Sequence, residues 1–183
     1  MAKVFYVTPF KEGDIGGGIN ESIALLPRDA WVCIRDADTL FLTGNAQRQI
    51  QAIVDANPEF ELIGCKTNRL RSRYVTHDRD RLFECGDIST HVEVATQLET
   101  EHWAKVSPLP FMEVVAGMFM LMRVELWHKF PFPEKTPFFD KLYSRYVLTQ
   151  GGKLGIADGI YLFHLYRWGK EDPCNYVEHL QNN

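Results

Sequence analysis

Residues 31–42 read WVCIRDADTLFL, and the fold class turns on this stretch. Trp31 to Ile34 form an apolar run without polar alternation, the pattern of a strand buried on both faces. The run delivers Asp36 and Asp38 at its end. In an extended chain side chains two apart share a face, so both carboxylates aim at one cation or one polar ligand. Open α/β sheets bind their ligands at the carboxyl ends of strands, which makes the pair a candidate site; a turn or a helix cap is the plainer alternative.

Working outward, Lys3 to Thr8 (KVFYVT) reads as a strand closed by Pro9. Gly16, Gly17 and Gly18 lead into a helix over INESIALL, with Ile19, Ile23, Leu25 and Leu26 on one face and Pro27 as its stop. Thr43 caps a second helix that runs to Pro58, and Phe60 to Cys65 is the next strand. This β-α-β-α-β order predicts an α/β fold with a parallel or mixed sheet. Beyond it, a Thr90-x-x-Glu93 capping box opens a helix to Trp103, and Val114 to Met122 reads as a strand. Pro137 to Leu148 reads as a helix stopped at Gly151-Gly152, and Lys153 to His164 as two short strands or a hairpin about Asp158-Gly159.

At 183 residues, 45% hydrophobic and 24% charged, the chain fits one domain over residues 1–183 and excludes repeats, collagen and disorder. A net charge of −4 argues against a surface built wholly for nucleic acid or anionic membrane. The longest apolar run, Val114 to Met122, falls far short of the roughly 20 residues of a spanning helix. The N-terminal segment lacks the apolar core of a signal peptide, so a cytoplasmic location is expected. Cys33, Cys65, Cys85 and Cys174 form no C-x-x-C pair and read as buried thiols.

A second acidic triplet, Asp78-x-Asp80, lies among arginines that neutralise it. The first pair, with open positions around it, suits Mg²⁺ or Mn²⁺, and an ion so held bridges the oxygens of a nucleotide's diphosphate. A haloacid-dehalogenase-type phosphatase also carries D-x-D after an apolar strand, but it wants Thr four residues after the first Asp, where Leu40 stands.

The ordered set GDIGGGIN, WVCIRDADTLFL, VAGMFMLMR, FFD and GGKLGIADGIYLFH resembles the GT-A fold of glycosyltransferase family 2 over nearly the whole chain. That resemblance implies a single three-layer α/β/α domain with a mixed, mostly parallel central sheet, and transfer of a sugar from a nucleoside-diphosphate sugar to an acceptor hydroxyl, with inversion. It implies that Thr8, Pro9 and Phe10 end the first strand against the nucleotide, and that Gly16 to Asn20 form a helix start beneath it, whose N–H groups meet anionic oxygens; a glycine turn with an Asn cap fits the same residues. Asp36 would face the ribose or the metal, Asp38 would ligate the metal, and His164 is similar to the family's third ligand, tilting preference toward Mn²⁺. Asp140 corresponds to the general base, with Phe139 in place of the usual preceding acid; an N-cap role for Asp140 is the alternative. Ala116 and Gly117 match the small-residue strand against the donor sugar. Arg167 and Trp168 match an Arg-Trp pair suited to neutralising diphosphate charge and to stacking.

One departure is large. Only Phe10 to Ile15 separate Pro9 from Gly16, where the family inserts a segment that reads the base, so the donor pocket is smaller or completed by another copy of the chain. Lys66, Arg69, Arg71, Arg73, Arg79 and Arg81 form a basic stretch, read either as a solvated loop or as an approach for an anionic acceptor. A carbohydrate or lipid-linked acceptor ranks above a nucleic acid. Two rivals stand beside this reading. One is a metal-dependent phosphohydrolase or nucleotidyltransferase using the same acids; the other is a non-catalytic nucleotide- or glycan-binding module.

Overall fold

The computed structural model describes residues 2–70, 72, 74–110 and 112–165. In chain order these form β1 (Val4–Val7), α1 (Ile15–Ile23), β2 (Trp31–Arg35), β3 (Thr39–Phe41), α2 (Ala46–Ala56), β4 (Leu62–Thr67) and α3 (Arg79–Leu82). There follow α4 (Ile88–His102), β5 (Val106–Pro108), β6 (Phe119–Arg123), α5 (Val124–Lys129), α6 (Phe139–Thr149) and β7 (Leu154–His164). The strands make one open sheet in the order β1-β2-β6-β4-β7-β3, with β5 also paired to β7.

The chain is α/β and the sheet is mixed. The expectation of a mostly parallel sheet needs correcting: β1–β2 and β4–β7 are parallel, whereas β2–β6, β4–β6, β3–β7 and β5–β7 are antiparallel. The reason is β6, which enters from the loop beyond the carboxyl ends of β2 and β4 and runs back between them.

Both faces of the sheet are covered. Val32 and Ile34 of β2 join Met120 and Met122 of β6 in a cluster with Ile19 and Ile23 of α1 and Phe139, Tyr143 and Val147 of α6. The alternate residues Trp31 and Cys33, with Phe119, Leu121, Ile63 and Cys65, pack instead with Ile50, Ile53 and Val54 of α2. The unalternated apolar run of β2 is thus a strand between two apolar layers, and Cys33 of β2 and Cys65 of β4 are buried free thiols.

Several boundaries differ from the sequence reading for identifiable reasons. The three glycines lie inside α1, which starts earlier because the Asp14 carboxylate caps it, accepting from the Gly17 N–H at 3.0 Å. A Cβ on Gly16 would come within 2.0 Å of the Pro133 carbonyl oxygen, so that glycine is needed for close approach. α2 begins after Asn45 rather than Thr43, and Asp87 rather than Thr90 caps α4. β6 is shorter than Val114–Met122, because the N–H groups of Val115 and Gly117 are taken by side chains of α6.

Residues 154–164 form a single strand and no hairpin. Asp158-Gly159 makes an irregularity within it: Cys65 pairs with Ala157, yet Lys66 pairs with Tyr161. Asp158 is held there by an N–H bond to the Lys105 carbonyl and by its carboxylate accepting from the Ser107 hydroxyl. Among the described residues no helix is long and apolar enough to cross a membrane.

Candidate metal and acid-base site

β2 ends at Arg35, and residues 36–39 turn the chain sharply into β3. The Thr39 N–H and hydroxyl both donate to the Asp36 carbonyl, at 3.4 and 2.7 Å, and the Arg35 guanidinium donates to the Thr39 carbonyl. Asp36 N–H donates to the Met118 carbonyl at 3.1 Å, which anchors the turn to the segment before β6. β3 then pairs with the end of β7, Thr39 opposite His164, and Leu165 N–H donates to the Asp38 carbonyl at 2.9 Å. This antiparallel pairing brings the two acids and the histidine together.

His164 is 3% exposed, and its backbone is gripped by one side chain. Asn68 Oδ1 accepts from His164 N–H at 2.8 Å, and Asn68 Nδ2 donates to the His164 carbonyl at 3.4 Å. The ring is oriented as well: Nδ1 lies 3.0 Å from the Arg69 carbonyl oxygen. A carbonyl only accepts, so Nδ1 carries a proton, and Nε2 is turned toward Asp38 Oδ1 at 3.5 Å. A backbone carbonyl fixing one imidazole nitrogen while the other meets a cation is the usual support for a metal-binding histidine. One ligand atom from each of Asp36, Asp38 and His164 lies within 4.8 Å of the others.

The two acids differ electrostatically. Burial pushes the Asp36 carboxyl up to about 6; His164 opposes this, while the charges of Asp38 and Asp140 add to it. Asp38, about half exposed, is held below its ordinary value by its hydrogen bond to His164, against some desolvation. Crowding of acids around one imidazole is relieved by a divalent cation, and two carboxylate oxygens with one nitrogen form a donor set that fits Mn²⁺ or Mg²⁺.

Asp140 lies in the first turn of α6, past the N-cap position, which Phe138 occupies without a side-chain bond. Its Oδ2 accepts from Gly117 N–H at 3.0 Å and its Oδ1 from Lys141 N–H at 2.7 Å. Burial raises this carboxyl despite those bonds. Gly117 is required at the contact, since a Cβ there would come within 2.5 Å of the Phe139 ring.

The remaining expected residues divide. Beyond β1, Pro9 is buried, whereas Thr8 and Phe10 are exposed, Phe10 by 87%. Gly16 backs onto Pro133, and the start of α1 is occupied by the Asp14 carboxylate, which accepts from Gly17 and Lys135 N–H groups. Asn20 is committed to the fold: Oδ1 accepts from Trp127 Nε1 and Phe132 N–H, and Nδ2 donates to the Phe132 carbonyl and to Glu134. Gly16 and Asn20 both lie against the 132–134 segment. Arg167 and Trp168 lie outside the described residues, as does Cys174.

In the basic stretch, Arg71 and Arg73 lie outside the described residues. Lys66 donates to the Tyr74 carbonyl, buried Arg69 to the Phe83 carbonyl and Glu84, and Arg79 to the Leu70 carbonyl, while Arg81 is exposed. These cations largely hold their own segment together. Two residues at the site escaped the sequence reading. Asn68 carries no local signal, because its partner is far along the chain; Ser144, four residues after Asp140 on the same helix face, does. A scan against protein-family models finds none that matches the chain, and a search of curated proteins finds no match.

Proposed function

We propose that the chain is a metal-dependent, inverting glycosyltransferase of GT-A architecture, a three-layer α/β/α domain that moves a sugar from a nucleoside-diphosphate sugar to an acceptor hydroxyl. The observation that carries this reading is the convergence, within 4.8 Å, of two carboxylates from the end of β2 and an imidazole from the end of β7. Asp38 and His164 would hold Mn²⁺ or Mg²⁺, with Asp36 completing the protein's share or meeting the ribose. A divalent ion there supplies Lewis acidity to the diphosphate oxygens.

The chain's own residues supply the rest. His164, locked by Asn68 and the Arg69 carbonyl, keeps Nε2 toward the site without reorganising. Asp140 takes the acceptor hydroxyl's proton as the acceptor oxygen bonds to the anomeric carbon and the bond from that carbon to the diphosphate breaks on the opposite face. Its raised affinity for a proton makes it a better base than an exposed aspartate, and the Gly117 N–H keeps the carboxylate aimed. The acceptor is a carbohydrate or a lipid-linked sugar, with a nucleic acid ranked below.

The test is thermal shift and Mn²⁺ binding with UDP, GDP, CDP and dTDP. At least one nucleotide raises the unfolding temperature only when Mn²⁺ is present, and Asp38→Ala and His164→Ala abolish the effect. Nucleotide binding that needs no metal and survives Asp38→Ala overturns the reading. Release of inorganic phosphate or pyrophosphate instead of nucleoside diphosphate moves the chain to the phosphohydrolase or nucleotidyltransferase class. A non-catalytic module is favoured by one observation, that both oxygens of Asp140 already accept backbone N–H groups. Turnover that is lost in Asp140→Asn with binding retained excludes it.

A further inference from the structure

Ser144 is completely buried and lies one helical turn beyond Asp140 on α6. Residues four apart share a helix face, and these two grip the same piece of chain. Asp140 Oδ2 accepts from Gly117 N–H at 3.0 Å, and Ser144 Oγ accepts from Val115 N–H at 3.1 Å. The next residue of that segment, Met118, offers the carbonyl that accepts from Asp36 N–H at 3.1 Å. Residues 115–118 therefore form a strut. One end is pinned to α6 by two side chains, and the other is bonded to the acidic turn. The absent side chain of Gly117 lets the Phe139 ring lie flush against the strut, which sets its distance from α6.

We propose that Ser144 is a positioning residue for Asp140: by holding Val115 N–H it fixes the strut so that Gly117 N–H meets the Asp140 carboxylate at a set distance from the Asp36–Asp38–His164 cluster. The proposal rests on the reading of Asp140 as the base. Ser144 touches no reactant; it acts through Val115 and Gly117. A merely structural serine would change stability alone when removed, whereas this one controls the proton affinity of a carboxylate one turn away, on which Lys141 and Asp36 also bear.

The experiment follows the Asp140 side-chain carboxyl and the Gly117 amide by NMR across pH in wild type, Ser144→Ala and Ser144→Thr, with Mn²⁺ affinity measured in parallel. In Ser144→Ala the Gly117 amide resonance shifts, the Asp140 titration midpoint moves up by about one pH unit as its N–H bond weakens, and Mn²⁺ affinity holds. Ser144→Thr, which keeps the hydroxyl, restores the wild-type midpoint. If Ser144→Ala does not fold, Ser144→Cys, a near-isosteric weak acceptor, is read the same way. An unmoved midpoint and amide in the folded variant overturn the proposal and leave the base reading intact. Full release of nucleoside diphosphate from UDP-, GDP-, CDP- or dTDP-sugars by Asp140→Asn overturns the base reading, and this proposal with it, whatever the resonances do.

Discussion

Tyr143 is fully buried with its ring stacked on Phe132, centroids 3.9 Å apart and 9° from parallel. Its hydroxyl has no hydrogen-bond partner among the described residues. An unmet buried hydroxyl costs on the order of 1–3 kcal/mol, whereas the ring contributes its full packing. Tyr143→Phe is therefore expected to stabilise the chain by about 1 kcal/mol, read as an upward shift of the denaturant midpoint with unchanged slope. Single residues also mark what could be read from sequence. Asp36 and Asp38 were legible because a strand end and a two-residue spacing are local features. His164 had no local mark and entered only through the resemblance, since the pairing that brings it to Asp38 joins distant strands. Asn20 was read as part of a ligand-facing helix start; its side chain bonds Trp127, Phe132 and Glu134, which lie 107, 112 and 114 residues away, beyond any pattern in its neighbourhood.

Among the elements, α4 shows how a cap decides a boundary. The Asp87 carboxylate accepts from Ser89 N–H at 3.0 Å and from the hydroxyls of Ser89 and Thr90. These bonds favour its ionised form and lower it from 3.8 to about 2. A depressed carboxylate contributes stability that is full above its unfolded value and lost as pH falls through its folded one. Unfolding temperature is thus expected to drop between about pH 4 and pH 2 with an Asp87 component, and Asp87→Asn flattens that limb in pH-resolved melting. The sequence placed this cap at Thr90 because Thr-x-x-Glu is the commoner signature, while three acceptor bonds converging on Asp87 have no simple spacing rule. α2 and α6 were legible from their stops, Pro58 and Gly151-Gly152. β7 was not read as one strand, since Asp-Gly is a strong hairpin signal and the contacts that hold it straight, with residues 105–107 and with Gln49, come from distant parts of the chain.

At the scale of the molecule, β7 is bonded to β4, β3 and β5, whereas among the described residues β1 is bonded to β2 alone. Local opening is governed by how much neighbouring structure must part with it. Native-state hydrogen exchange is expected to be slowest in the paired amides of β7 and β4 and faster in β1; equal protection of β1 and β7 would contradict this view of where the chain is most firmly held. The alternation of α and β segments was legible because periodicity changes along the chain. The antiparallel insertion of β6 was not, because strand direction depends on which end of the sheet a loop leaves from. The irregularity at Asp158-Gly159 lies upstream of His164, the residue that β7 brings to the acidic cluster. A strand shows its side chains to alternate faces, so losing or gaining one residue there, with pairing otherwise kept, would carry the imidazole to the far side of the sheet. Natural length variation at this point should accordingly come in even steps, and an odd indel would mark a descendant in which the Asp36–Asp38–His164 cluster is no longer assembled.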